Sequence, residues 1–216
     1  MSAYFITATG TGIGKTFITA AVTRQLIAQG RKVRALKPVI SGFVAGEEND
    51  STILIRAQGG RDIEAVSPWR FAAPLAPDTA AKREGRSLDF AALVEFCREA
   101  IAGEEITLIE GVGGVMVPLD ARHTVLDWIA ALNIPAVLVT GSYLGTISHT
   151  LTSFAVLQAR RIPVRRIIMN GSEESPMPLA ETAETIARFC GMQPVVIPRL
   201  ADPDADAWQQ VPPDII

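Results

Sequence analysis

The sequence predicts an α/β fold, a doubly wound, mostly parallel sheet with helices on both faces. Three observations predict it. Short apolar runs alternate with longer helix-patterned stretches along the whole chain. The runs are rich in Val, Ile and Leu without clean two-residue alternation, as strands covered on both faces read. A glycine-rich turn joins the first run directly to the first helical stretch.

Taken in order, Tyr4-Phe5-Ile6 opens a strand expected over residues 4–8. A helix is expected over 15–29, with Gly30 as its stop. The second strand, 32–37, ends at Lys37, which Pro38 holds extended because a residue before proline avoids the helical region. Helices are expected over 51–58 and 88–102, followed by a strand over 107–110. Thr124 or Asp127 starts a helix running to 132, and a strand spans 136–140. The pattern then gives a helix over 148–160 with Ser148 as a possible N-cap. A strand at 166–170, a helix at 179–190 and a strand at 194–198 complete the chain. No repeat, low-complexity tract or linker stands out, so residues 1–216 read as a single domain able to bury a large core.

Hydrophobic residues make up 48%, and the mean hydropathy is +0.25, which excludes a disordered chain. A net charge of −3 gives no general attraction to nucleic acid or to an acidic membrane, so neither is expected as a partner. The most apolar stretch, 129–140, is broken by Asn133 and Pro135 and is too short to cross a bilayer. Cys97 and Cys190 lack metal-ligand spacing and fall on apolar helix faces, which fits buried free thiols. With the first strand starting at once, no signal peptide is recognised and a cytoplasmic location is expected. Trp69, Trp128 and Trp208 lack mutual spacing and read as packing residues.

The chemistry begins at Ala8-Thr9-Gly10-Thr11-Gly12-Ile13-Gly14-Lys15-Thr16, a loop between strand and helix that ends in Gly-Lys-Thr. Backbone N–H groups of such a loop surround a polyphosphate, Lys15 reaches the outer phosphates, and the Thr16 hydroxyl can ligate magnesium. The usual first glycine is Thr9 here, a variant of the pattern. In a doubly wound sheet ligands bind outside the carboxyl ends of the strands. Lys37, Glu110, Gly141 and Asn170 each lie at or just past an expected strand end and should converge with the loop.

Lys37, followed by Pro38-Val39-Ile40-Ser41-Gly42, can place an ammonium beside a transferring phosphoryl group, or simply end a strand in solvent. Asp50 can bind magnesium or cap the helix that follows it. Glu110 ends an apolar strand before Gly111-Val112-Gly113-Gly114, where a carboxylate can hold a second magnesium contact and glycines admit close backbone approach. The helix start after Tyr143-Leu144-Gly145 offers N–H groups to a carboxylate or phosphate. His149 reads as a packed or solvated helix residue, and His123 carries no signal. Asn170 suits an adenine edge or an Asn-Gly turn, and Pro198-Arg199-Leu200 can flank the same base.

These segments, in this order, resemble the dethiobiotin synthetase family of the P-loop NTPase superfamily, over residues 4 to about 200. The resemblance rests on the loop, on Lys37-Pro-Val-Ile-Ser-Gly42 with Asp50, on Ile109-Glu-Gly-Val-Gly-Gly114, on Leu144-Gly-Thr-Ile-Ser-His149 and on Asn170. It implies a homodimer that joins 7,8-diaminononanoate and carbon dioxide using Mg-ATP, through a carbamate and a carbamic-phosphoric anhydride. It also implies site roles. Lys37, Lys15, Thr11 and Ser41 would be catalytic, and Thr16, Asp50 and Glu110 would form the magnesium shell. Gly12, Ile13, Gly14, Lys15, Thr16, Phe17, Asn170, Pro198 and Leu200 would hold ATP. Ser41, Gly113, Leu144, Gly145 and Ser148 would bind the diamine, whose carboxylate tail would lie near the dimer interface.

The chain departs from the family's usual Gly-Thr-Asp-Thr loop at Ala8-Thr9-Gly10-Thr11, and Ser148 stands where Asn is common. Pro74-Leu-Ala-Pro77 replaces a frequent Ser-Pro-His pattern. Two other readings compete. An amide-forming synthetase of corrinoid acids normally carries a nucleophilic cysteine, and Cys190 lacks the setting. A partitioning-type ATPase switch usually has an additional lysine early in the loop, which Ala8-Thr9 lacks.

Overall fold

The computed structural model describes residues 2–199 and 207–212. Its central sheet is built from β1 (Ala3–Ala8), β2 (Val33–Leu36), β5 (Ile106–Glu110), β6 (Ala136–Thr140), β7 (Val164–Asn170) and β8 (Val195–Ile197). The strand order is β2-β5-β1-β6-β7-β8, and every pairing is parallel. The helices are α1 (Lys15–Ala28), α2 (Asp50–Ala57), α3 (Pro77–Arg83), α4 (Phe90–Ala102), α5 (Val125–Leu132), α6 (Thr146–Ala159) and α7 (Leu179–Cys190).

Side chains that neighbour one another along a strand enter different cores. Phe5, Ile109, Leu138 and Ile167 pack with Leu93 of α4, Trp128 of α5 and Ile186 of α7. Ile6, Leu108, Val137, Val139 and Ile168 pack with Ile18 and Val22 of α1. The unbroken apolar runs therefore follow from helices on both faces. Trp128 is fully buried and meets Phe5 edge to face at 4.8 Å. Cys97 and Cys190 are buried free thiols, and burial pushes both thiols up.

Four elements correct the sequence reading. Val39–Ser41 (β3) and Trp69–Phe71 (β4) form a separate two-stranded parallel sheet, and α3 follows it. Each is short, and the β3–β4 pairing joins residues 30 positions apart (Val39↔Trp69), so no local pattern signals it. The helix expected from residue 148 starts instead at Thr146, with Gly145 as N-cap at φ 96°. Ser148 lies within its first turn and caps nothing. Thr124 caps α5, with Asp127 accepting from the Thr124 N–H and hydroxyl, so both suggested start residues take part. No helix among the described residues is long and apolar enough to cross a membrane.

Candidate functional site

The register of β1 sets Ile6 opposite Glu110 and Ala8 opposite Val139, so the loop leaving β1 emerges between the ends of β5 and β6. Gly12 (φ 73°) and Gly14 (φ 91°) adopt left-handed backbone that L side chains resist. At Gly14 a Cβ would also stand 2.4 Å from Asn170 Nδ2, which donates to Ile13 O at 2.8 Å. Thr9 needs no glycine, because its φ is not positive. Its hydroxyl instead reaches Thr140 Oγ1 at 3.4 Å and Tyr143 Oη at 3.5 Å.

Under the loop lies a buried charge cluster. The Lys37 ammonium, 2% exposed, donates to Glu110 Oε1 at 2.7 Å and to Gly111 O at 2.9 Å, and it pairs with Asp50 Oδ2 at 3.0 Å. Thr16 Oγ1 donates to the same Glu110 oxygen at 2.7 Å. Lys15 Nζ donates to Gly113 O at 2.8 Å and to Gly10 O at 3.2 Å. The backbone holds Lys37 in place, since its N–H donates to Val66 O at 3.1 Å and its carbonyl accepts from the Ser67 hydroxyl. Asp50 is not the helix cap. Asn49 fills that role, accepting from the N–H groups of Ser51 and Thr52, which leaves the Asp50 carboxylate to Lys37.

Burial, then the like charge of Lys37, brings the Lys15 ammonium down to about 8 against the opposing pull of Glu110 and Asp50. Burial also opposes the Lys37 charge, but Glu110 and Asp50 together outweigh it and hold that ammonium above its ordinary range. Burial likewise favours the neutral form of Asp50, yet Lys37, with Thr16 and Lys15, holds its carboxyl below the usual value.

Two clefts meet at the loop, and residues 11–14 line both. One, of about 830 Å³, contains Lys15, Thr16, Lys37, Ser41, Asp50 and Gly113, and its far wall is Pro74-Leu75-Ala76-Pro77 with Val112 and Val117. The other, of about 850 Å³, contains Phe17, Asn170 and Pro198. Glu110 is fully buried and joins the first cleft through Thr16 and Lys37. Leu200 lies outside the described residues. Leu144, Gly145 and Ser148 are not brought to Lys37. They line a third, apolar groove of about 600 Å³ with Met177 and Phe189.

Sequence reasoning missed part of the second cleft. Tyr143, His149, Ser172, Glu173 and Arg199 also line it, although His149 read as a residue without a site. Arg199 was flagged only through its neighbours in Pro198-Arg199-Leu200, and the strand-end rule pointed to Gly141 rather than to the tyrosine two residues on.

Six buried side-chain polar atoms among the described residues have no partner, and three of them belong to the site: Ser41 Oγ, Glu110 Oε2 and Asn170 Oδ1; the others are Thr7 Oγ1, Gln25 Oε1 and Trp128 Nε1. An orphaned buried acceptor or donor is costly, and a ligand that satisfies it recovers that cost. Thr16, Asp50 and Glu110 Oε2 are hard oxygen donors suited to a small divalent cation. Among the described residues no three Asp, Glu, His or Cys side chains cluster as a metal site. That donor count fits magnesium, which is commonly held by one or two carboxylates with substrate phosphates.

A family model described as an AAA domain matches residues 2–204. An ATP-dependent dethiobiotin synthetase BioD from Acidiphilium cryptum is 47% identical over 216 residues, covering 96% of this chain and 97% of that protein. One of the same name from Methylobacterium nodulans is 45% identical, covering 98% of this chain and all of its own length, 100%. Among solved structures, a ParA family ATPase from Chlorobium tepidum matches with TM-score 0.57 at 15% identity, covering 96% of this chain and 87% of its own. The septum site-determining protein MinD with Mg-ADP from Pyrococcus horikoshii matches with TM-score 0.56 at 18% identity, over 98% of this chain and 87% of its own. The structural likenesses carry the fold alone, a mostly parallel sheet flanked by helices. The sequence relatives carry the family: this chain belongs to the ATP-dependent dethiobiotin synthetases.

Proposed function

We propose that the protein, acting as one domain per chain in the cytoplasm, closes 7,8-diaminononanoate and carbon dioxide into dethiobiotin at the expense of ATP. The observation that carries this reading is the buried Lys37 ammonium, held between Glu110 and Asp50 in one cleft with Lys15 and Ser41. Phosphoryl transfer asks chiefly for positioned cations and little covalent help, and this cleft supplies cations without a nucleophile.

In the reaction, one amine of the substrate adds to carbon dioxide and loses a proton, giving a carbamate. A carbamate oxygen attacks the γ-phosphorus and ADP leaves, forming a carbamic-phosphoric anhydride. The second amine attacks the carbonyl carbon, the C–O bond to phosphate breaks, a proton is released and the ureido ring closes. Lys37 offsets the carbamate and γ-phosphate charge, and Lys15 exchanges the carbonyls of Gly10 and Gly113 for phosphate oxygens. Ser41 and Thr11 offer hydroxyls to the reacting groups, Ser41 through its unpartnered oxygen. Val112, Val117 and Leu75 give the alkyl chain an apolar wall.

Magnesium would be held by Thr16, Asp50 and Glu110, and it would supply positive charge to the β- and γ-phosphates. The unpartnered Asn170 Oδ1 suits the exocyclic amine of adenine, with Gly12, Ile13, Gly14, Phe17 and Pro198 around the nucleotide. The groove at Leu144, Gly145 and Ser148 cannot serve the same chain's Lys37. Leu144 is 85% exposed and Phe189 64%, an apolar surface that a second copy would cover. A homodimer would then bring the N–H groups of the α6 start to the substrate carboxylate of the other chain.

The test is ADP release measured with and without 7,8-diaminononanoate and bicarbonate. Release that requires both supports the reading. Turnover indifferent to the diamine overturns it and favours a switch ATPase.

A further inference from the structure

We propose that Tyr143 reads the ribose of the bound nucleotide, with His149 holding the tyrosine hydroxyl in position. This rests on the nucleotide reading of the cleft lined by Asn170, Pro198 and the glycine loop. A nucleotide's sugar lies by covalent necessity between its base and its phosphates. With the base beside Asn170 and the phosphates on the loop, Ser172, Glu173 and Arg199 form one of the remaining walls of the cleft, Tyr143 and His149 another.

That wall is built. Tyr143 lies against Gly141, where a Cβ would stand 2.7 Å from the ring and 2.7 Å from Ser172 Oγ, so only glycine lets the ring occupy its place. The phenol oxygen is 2.9 Å from His149 Nδ1 and 3.5 Å from Thr9 Oγ1, the first position of the loop. A phenol has one donor hydrogen and two acceptor lone pairs, so after bonding His149 it keeps capacity for a ligand. The 2′- and 3′-hydroxyls of a ribose are neutral donors and acceptors, matched by a neutral hydroxyl rather than by a cation. The two ionic side chains of this cleft, Glu173 and Arg199, are already paired with each other at 3.4 Å. Tyr143 is thus a specificity-determining residue and His149 a positioning residue.

The test is calorimetric titration of the full chain with Mg-ATP, Mg-2′-deoxy-ATP and Mg-3′-deoxy-ATP. Wild type should bind ATP about five- to tenfold more tightly than at least one deoxy form, the effect of one net hydrogen bond. In Tyr143→Phe that ratio should collapse to about one, because the ring remains and only the hydroxyl is lost. His149→Leu should reduce the ratio without abolishing ATP binding, and it carries the test should the first variant fail to fold. Equal wild-type affinity for all three ligands, or an unchanged ratio in a folded variant, overturns the proposal and leaves the nucleotide reading standing. A wild type that binds no ATP overturns both.

Discussion

Lys37 and Glu110, 73 positions apart in sequence, meet with Nζ 2.7 Å from Oε1 and with essentially no solvent between them. Neither charge is tolerable alone at that depth. The pair is completed on one side by Asp50 and on the other by Thr16, and Lys37, Asp50 and Thr16 line one cleft with the glycine loop while Glu110 lies buried behind them. A site so built holds its cation ready before any ligand arrives, which is what electrostatic preorganisation asks.

Lys37→Ala should leave ATP affinity nearly unchanged and abolish diamine-dependent product formation. It also leaves Glu110 buried without a cation, at a cost of about 3 kcal/mol in metal-free buffer. Magnesium should restore part of the lost melting temperature in the variant and change wild type less. Product formation near the wild-type rate would contradict the role given to Lys37.

Lys15 makes stability and binding depend on pH in a defined window. Its folded pKa of about 8 lies below the ordinary 10.5, so between these values the unfolded chain holds more protons. Stability of the ligand-free protein should therefore rise from pH 8 to 10.5, by roughly 3 kcal/mol at most. Lys37 works in the other direction, but only above its ordinary value, outside this window. A triphosphate restores the Lys15 charge, so ATP binding at pH 9 should take up protons. Calorimetry in buffers of different ionisation enthalpy measures this, and zero uptake would refute the assignment.

Gly14→Ala meets two obstacles at once, a φ of 91° and a contact at 2.4 Å with Asn170 Nδ2. Together they should cost about 2–4 kcal/mol in urea denaturation. Adding Asn170→Ala should recover the steric part and leave the backbone part. Strict additivity of the two changes would show that the residues do not touch.

The proposed dimer predicts complementation. Lys37→Ala spoils one half of each site, and Ser148→Trp, at an exposed position, should block the other. Each variant alone should be inactive. Mixed and allowed to exchange subunits, they should regain about a quarter of wild-type activity, since half the dimers then hold one intact site of two. Activity that stays at zero while mixed dimers form would exclude a tail site contributed by the second chain.

The six strands of the main sheet and the loop were legible because burial on both faces leaves continuous apolar runs. The glycine turn also carries its signature in consecutive residues, Gly12 to Thr16. The β3–β4 sheet was not legible, because three-residue strands paired across 30 positions leave no periodic trace. Whether Asp50 capped its helix turned on its neighbour, Asn49, which fulfils the cap and leaves the Asp50 carboxylate to Lys37, a partner the sequence did not single out. Ser148 misled because a hydroxyl near a helix start looks like a cap, while the actual cap is a glycine chosen for its backbone angle. Tyr143 was passed over for a related reason. Its meaning lies in what it touches, Gly141, His149 and Thr9, and the contact with Thr9 exists only once β1 and β6 lie side by side.

Residues 11–14 face both large clefts, so a single short stretch of backbone is a dividing wall with a chamber on either side. Under the proposed reaction the nucleotide's base would lie in one chamber and the diamine in the other, and the transferred phosphoryl group would pass along the partition they share.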